Sequence, residues 1–437
     1  MLKTVEIIGR LREAGATDCI LVGGYVRDVL LERKRRHLAA REPMPRIDGL
    51  KDVDIEVYGL DYAAILRALK PRFRVNLVGK SFGVVKVDNR YDVSIPRREY
   101  KTGSGHKGFD VEPDPFMSPQ EAMGRRDFTV NAIGMRPDGT LVDPYQGIRD
   151  LEQGVLRATT PAFAEDPLRV LRGMQFAARF GFTMEAGTVE LCRRLLPESE
   201  SLSPERVWGE WFKWATKSRY PSKGLLVLKE TGWIDAFPEI AALVGTPQNP
   251  RYHPEGDVFT HTCLAVDAAV QTAKEMRFAE QDRIVLLFAA LTHDFGKPCT
   301  TVRREDGTWT SPNHAAQGVP FVESFFDRMR APHWVGEHVK PLVAEHMAHL
   351  ALPSEERPSD RIVRRLATRL EPSSIRMWAA LCRSDAKGCR ATFERHRTQS
   401  WQEVAERLAV LDEKPRPILQ GRDLLPLGFR PGPGMGR

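Results

Sequence analysis

Asp52 and Asp54 stand two residues apart in the run Lys51-Asp52-Val53-Asp54-Ile55-Glu56-Val57. On a β-strand that spacing puts both side chains on one face, so the carboxylates converge. Two close carboxylates repel unless a divalent cation neutralises them, which is how Mg2+ is held for phosphoryl transfer. Asp92, in the β-prone run Tyr91-Asp92-Val93-Ser94-Ile95, can complete such a cluster from another strand. Taken singly, each of these acids also suits a solvated strand edge. Upstream, Gly23-Gly24-Tyr25-Val26-Arg27-Asp28 follows the apolar run Cys19 to Val22 and leads into a helical stretch. Two glycines at a strand-to-helix turn let backbone N–H groups approach a triphosphate, and Arg27 can add a bidentate contact. A glycine pair alone equally suits an ordinary tight turn.

Glu165-Asp166-Pro167-Leu168-Arg169 offers different chemistry. The spacing predicts Asp166 and Arg169 on one face of a helix. A carboxylate accepts from the amino group of cytosine or adenine while a guanidinium donates to the adjacent ring acceptor. Guanine and uracil present an oxo group there and leave the carboxylate unpaired. The same residues also suit a plain helix start with Pro167 in its first turn. Further along stand His253, His261, His293-Asp294, His314, His346 and Asp385. All are donors for divalent ions such as Mg2+, Mn2+ or Ni2+. His293-Asp294 closes the apolar run Val285 to Leu291, so a neighbouring imidazole and carboxylate sit near a helix end and can share one ion.

The elements that must position these groups change character along the chain. Up to about residue 150, β-rich runs (Cys19 to Val22, Val53 to Val57, Gly83 to Val87, Tyr91 to Ile95) alternate with helical stretches such as Asp61 to Leu69. Beyond about residue 160 strand signals nearly vanish, and Leu168 to Arg179, Pro204 to Thr216 and Ile284 to Leu291 are predicted helical. The fold class expected is α+β: a mixed α/β head, then an all-helical neck, body and metal-binding domain. The turn-rich run Gly245-Thr246-Pro247-Gln248-Asn249-Pro250 is the expected boundary. This gives domains at 1–150, 151–247 and 248–400, with a tail at 401–437.

Order and spacing add a resemblance. Gly23-Gly24, Asp52-Val53-Asp54, Arg125-Arg126-Asp127-Phe128-Thr129-Val130-Asn131-Ala132, Asp143-Pro144-Tyr145-Gln146-Gly147 and Glu165-Asp166-Pro167-Leu168-Arg169 follow one another. Together they closely resemble the bacterial class of tRNA nucleotidyltransferases (CCA-adding enzymes) and their poly(A) polymerase relatives, over about Leu21 to Arg390. The resemblance implies that Asp52 and Asp54 bind two catalytic Mg2+ ions and that Asp92 is the third acid. It implies Gly23, Gly24 and Arg27 as the triphosphate loop and Arg126, Asp127 and Asn131 as the segment that tells ribose from deoxyribose. Glu165, Asp166 and Arg169 match the motif that reads the incoming CTP or ATP. The partner implied is the tRNA 3′ end. Lys101 to Pro119 resembles the flexible loop needed for the final A addition, whereas Arg33 to Leu50 departs from the pattern as a basic insertion. The pattern His261, His293-Asp294, Asp385 matches the HD phosphohydrolase superfamily, which implies a divalent metal there and a second, hydrolytic activity. The residues leave open a poly(A) polymerase, a partial CC- or A-adding enzyme, or an HD phosphohydrolase with an RNA-binding head.

The bulk properties fit this frame. At 437 residues, with 42% hydrophobic and 28% charged, the chain is long enough for several globular domains. A net charge of +7 favours a polyanionic partner. Six cysteines without pairing rhythm, no apolar run of membrane length and no signal-like N-terminus point to the cytoplasm, with no membrane partner. A monomer or homodimer is expected.

Overall fold

The computed structural model describes residues 2–37, 53–79, 83–101, 109–353, 356–389 and 398–415. Asp52, most of the Arg33 to Leu50 insertion, residues 102–108 of the loop expected to serve A addition, and the tail from 416 lie outside the described residues. The chain divides into two compact units, Met1–Ala236 and Phe237–Arg437.

The first unit carries a mixed sheet. Its strands are β1 (Asp18–Val22), β2 (Val53–Tyr58), β3 (Val75–Gly79), β4 (Val84–Val87), β5 (Tyr91–Ser94), β6 (Arg97–Lys101), β7 (Phe109–Pro113), β8 (Gly134–Met135), β9 (Leu141–Val142), β10 (Val155–Leu156) and β11 (Thr183–Met184), the last two a short parallel pair in the stretch expected to be all helical. Seven of them form one sheet in the order β3-β4-β5-β2-β1-β8-β9, and β6 and β7 make a separate hairpin. The helices are α1 (Leu2–Glu13), α2 (Gly24–Arg35), α3 (Tyr62–Leu69), α4 (Pro119–Gly124), α5 (Gly147–Gln153), α6 (Leu168–Phe180), α7 (Ala186–Arg194), α8 (Pro204–Lys217) and α9 (Pro221–Glu230). The expected strands and helices appear within a few residues of their predicted ends, and the α+β class holds.

Alternation positions the site. Val53, Ile55 and Val57 are buried on one side of β2, which turns Asp54 to the other. β2 pairs antiparallel with β1, Val22 opposite Asp54, and parallel with β5, Asp54 opposite Asp92. The strand that ends at Val22 and the strand that carries Asp54 therefore deliver the glycine turn and the acids to one sheet end. Gly23 has φ 71°, and a Cβ there would stand 2.9 Å from Arg126 Nη1 and 3.1 Å from Asp54 Oδ2. Both the backbone conformation and the crowding demand glycine.

The second unit is helical apart from one short pair of strands: α10 (Pro238–Ala241), α11 (Val258–Glu275), α12 (Glu280–Thr292), α13 (Lys297–Thr300), α14 (His314–Arg328), α15 (His333–Glu345), α16 (Asp360–Arg369), α17 (Ile375–Gly388) and α18 (Gln399–Arg407). α12 is buried almost all round, from Ile284 to Thr292, and α11, α15 and α17 pack on it. Such a helix ends inside the domain, so His293 and Asp294 emerge buried rather than at the surface. Gly296 lets α14 approach: a Cβ there would meet the His314 carbonyl oxygen at 2.1 Å. That close approach brings His314 to Asp294.

Candidate active sites

In the first unit two clefts, about 340 and 500 Å³, share Asp54, Arg125, Arg126 and Arg169. One holds Asp54, Glu56 and Asp92; the other holds Gly23, Gly24, Arg27, Asp127, Asn131 and Asp166. The second cleft is strongly cationic, with Arg172, Arg179, Arg206, Lys213 and Lys217 on its walls. Burial, then repulsion from Arg179 and Lys213, pushes the Lys217 ammonium below its ordinary pKa, the electrostatic signature of a site short of anions. Among the described residues, buried polar atoms in these clefts without a hydrogen-bond partner include Asp92 Oδ1, Gln175 Nε2 and Arg206 Nη1. Such orphans in a cleft are what a bound ligand satisfies. Lys86 Nζ lies 3.3 Å from Asp92 Oδ1 and partly offsets its charge.

The motif expected to read the ribose forms a fixed relay. Arg27 Nη1 donates to Asn131 Oδ1 at 2.6 Å, and Asn131 Nδ2 donates to Asp127 Oδ1 at 2.8 Å. Arg172 Nε donates to Asp127 Oδ2 at 2.7 Å. Burial disfavours the Asp127 carboxylate, but Arg172, Asn131 and the Phe128 amide outweigh it and hold the group below its ordinary pKa. Arg27 is buried, stacked over Phe180 at 4.7 Å, and its other nitrogens pair with Asp28. The guanidinium expected to contact phosphate is thus braced within the wall of the cleft that it lines. Arg126 Nη2 donates to Glu56 Oε1 at 2.7 Å, placing its guanidinium beside Gly23.

One expectation is corrected here. Asp166 and Arg169 do not share a helix face: Asp166 is extended, φ −131° and ψ 101°, and α6 begins only at Leu168. Pro167 forbids the residue before it the helical conformation. Asp166 Oδ1 accepts from the Leu168 amide at 3.2 Å, and its Oδ2 accepts from Arg206 Nη2 at 2.7 Å. Arg169 instead donates to the carbonyls of Ala162 and Arg125. Both residues still line the cationic cleft.

In the second unit six donors converge: His261, His293 and Asp385 form one triplet, and Asp294, His314 and His346 the other. Asp294 links them, with Oδ2 3.2 Å from His293 Nε2 and Oδ1 3.4 Å from His314 Nε2. The Nδ1 atoms of His293, His314 and His346 donate to the carbonyls of Ala290, Ser311 and Val343. His261 Nδ1 donates to Glu255 Oε1 at 2.9 Å. With every Nδ1 committed as donor, each Nε2 carries a lone pair. Yet Nε2 of His261 lies 3.3 Å from that of His293, and Nε2 of His314 lies 3.1 Å from that of His346. Facing lone pairs repel unless a cation stands between them, so the donors fit divalent metal. Burial pushes His346 down to about 3, which keeps it a neutral ligand. Burial also disfavours a charge on His261, but Asp385, Cys389 and Glu255 outweigh it, so without a metal this ring draws a second proton and the cluster demands positive charge. A cleft of about 680 Å³ opens onto the cluster, with Lys297, Arg304 and Trp309 on its wall.

Three family models match the chain: Poly A polymerase head domain at 19–157, Probable RNA and SrmB-binding site of polymerase A at 181–243, and HD domain at 258–372. A Multifunctional CCA protein of Nitrosococcus oceani is 35% identical over 379 residues, 85% of each chain. This chain belongs to the multifunctional CCA protein family. A relative of the same name from Xanthomonas oryzae pv. oryzae is 36% identical over 84% of each chain. The fold matches the Bacillus stearothermophilus CCA-adding enzyme in complex with CTP, TM-score 0.61 at 20% identity, covering 99% of this chain and 89% of that one. It also matches the Thermotoga maritima CCA-adding enzyme complexed with tRNA, TM-score 0.56 at 17% identity, covering 99% and 88%.

Within this chain, several cleft residues escaped the sequence reading. Arg172, Gln175, Phe176 and Arg179 follow Arg169 on α6 at helical spacing, and that periodicity was the available signal. Arg206, Lys213 and Lys217 come from α8 at i, i+7 and i+11, so the same periodicity was available for them. Glu56 was visible as the next same-face residue after Asp54, but its partner Arg126 is 70 residues away. No helix among the described residues is long and apolar enough to cross a membrane.

Proposed function

We propose that this chain adds C and A to the 3′ end of tRNA, drawing on CTP and ATP in the first unit. The observation that carries this reading is the direct pairing of Asp54 with Asp92, with Asp54 lining both the cleft that holds these acids and the cationic one. The RNA 3′ oxygen attacks the α-phosphorus, the bond to the β-phosphate breaks, and pyrophosphate leaves. Asp52, Asp54 and Asp92 would hold Mg2+, which supplies Lewis acidity toward the phosphoryl oxygens. Gly23 and Gly24 present backbone N–H groups to the triphosphate, and Arg126, Arg172 and Lys217 neutralise it. Asn131 and Asp127 fix the ribose, and Asp166 and Arg169 face the base.

The test uses Mg2+, tRNA lacking CCA, CA or A, and each nucleotide singly. Stepwise C, C, A incorporation supports the reading. Long A tails would favour a poly(A) polymerase, and arrest after CC or addition of A alone a partial enzyme.

The six-donor cluster suits a metal-dependent phosphohydrolase using Mg2+, Mn2+ or Ni2+ on RNA 3′-end phosphates, such as a 2′,3′-cyclic phosphate. His261, His293, Asp294 and Asp385 are its core ligands, joined by His314 and His346. Lys297 Nζ, 2.7 Å from Asp294 Oδ2, adds positive charge beside the substrate phosphate. A cyclic phosphate blocks the 3′ hydroxyl that the first unit needs, so hydrolysis would prepare damaged tRNA for repair. A cytoplasmic setting fits both substrates, as monomer or homodimer.

A further inference from the structure

Behind the six-donor cluster lies a second group of ligand-type atoms. His253 and Glu255 sit in the loop before α11, His261 stands on α11, and Cys389 closes α17. Glu255 Oε1 is 2.9 Å from both His253 Nδ1 and His261 Nδ1, and Cys389 Sγ is 3.7 and 3.9 Å from the same two nitrogens. The four ligand atoms lie within 4.8 Å of one another. Tetrahedral zinc with its usual bond lengths sets nitrogen, oxygen and sulfur ligands about 3.3–3.7 Å apart, so shifts of a few tenths of an ångström would suffice.

We propose that His253, Glu255, His261 and Cys389 form a separate, sulfur-containing metal site of the zinc class that shares His261 with the hydrolytic cluster. A divalent ion held by one thiolate, one carboxylate and two neutral imidazoles is a neutral unit, which suits a pocket where Glu255 and His261 are fully buried. Binding releases the thiol proton and any second proton on either ring, and each neutral imidazole then presents Nδ1 to the metal and carries its one proton on Nε2. The site is softer than its neighbour, which offers only nitrogen and oxygen, so it selects zinc, cobalt or cadmium over magnesium and manganese. With its one proton moved to Nε2, a His261 metallated at Nδ1 offers no lone pair at the atom 3.0 Å from Asp385 Oδ1. Occupation therefore withdraws His261 from the hydrolytic cluster, and the two sites oppose each other. The site stands on its own ligands, whatever the neighbouring cluster hydrolyses.

Cobalt titration of the full chain tests this without any activity. Wild type should develop a thiolate-to-cobalt charge-transfer absorption in the near ultraviolet. Cys389→Ser should abolish it, whereas Cys382→Ser should retain it, since Cys382 Sγ donates to the His346 carbonyl instead. His253→Ala leaves the thiol but removes one nitrogen, and should weaken cobalt binding at least about tenfold. This variant also serves if Cys389→Ser fails to fold. His293→Ala disables the hydrolytic cluster alone and should keep the band. Absence of the band in wild type, its persistence in Cys389→Ser, or its loss in Cys382→Ser or His293→Ala would overturn the proposal.

Discussion

On the proposed reading, the two sites would solve the same problem, holding cations against phosphate, with opposite materials. The first presents carboxylates on neighbouring strands beside an open cleft crowded with arginine and lysine. The second presents four imidazoles and two carboxylates from helix ends and helix faces, most of them fully buried. Oxygen ligands beside an open cleft suit a hard ion that is shared with the incoming triphosphate and leaves with pyrophosphate. A closed, nitrogen-rich cluster with each ring oriented by a carbonyl or carboxylate suits an ion that stays through many turnovers. A strand pair can offer such acids cheaply because alternate residues face one way. A buried helix end can offer imidazoles because burial itself keeps them neutral.

The sharpest way to break this comparison is to disable each site alone. Asp54→Ala should lower nucleotide incorporation by about a thousandfold or more, the scale of losing a group that acts mainly in the transition state. Hydrolysis of a 2′,3′-cyclic phosphate by the same protein should stay near the wild-type rate. Asp294→Ala should do the reverse, because it removes the carboxylate that links both triplets. Equal losses of both activities in either variant would mean that the sites are not independent.

Chelation sharpens the contrast in ligand chemistry. Brief gel filtration through EDTA should abolish nucleotide addition, with full recovery on adding Mg2+. The second unit should retain bound transition metal through that step, measured by elemental analysis. Metal lost as readily from the second unit as from the first would remove the distinction drawn from burial and orientation.

How far the sequence reading reached differs between the sites for a physical reason. Asp54 and Asp92 were legible as strand acids because strand periodicity is local, whereas the parallel register that sets them side by side appears only in the fold. His293-Asp294 was legible because an apolar run must end inside the domain it fills. Asp166 was misplaced because Pro167 overrides the spacing rule at one residue, and its true partner Arg206 is 40 positions away. The Asp127, Asn131 and Arg27 relay spans 104 residues from Arg27 to Asn131, and no periodicity encodes such a link. Cys389 passed for one of several small buried thiols, since only the fold brings it to His253.

Base choice gives a smaller effect than either metal site, because it depends on discrimination rather than chemistry. Asp166→Ala should narrow the preference for CTP and ATP over UTP and GTP by about ten- to a hundredfold, read from kcat/KM for all four nucleotides. The amino group of the correct base loses its acceptor, while the oxo group of the wrong base no longer meets a repelling carboxylate.

Arg206 should show the smallest change and the more telling one. It reaches Asp166 at 2.7 Å from α8, so it acts through the carboxylate and not on the base. Removing it leaves Asp166 charged and still capped by the Leu168 amide, but free to turn. Arg206→Ala should therefore cost about tenfold in selectivity or less, the scale of one charge-assisted hydrogen bond. Arg206→Lys should recover part of it, because an ammonium still attracts the carboxylate but lacks the planar fork that sets its angle. If Arg206 served only to hold α8 against α6, both variants would lower thermal stability and slow all four nucleotides equally. A change in the ratio between nucleotides, with unfolding temperature within a few degrees of wild type, separates orientation of the base reader from simple packing.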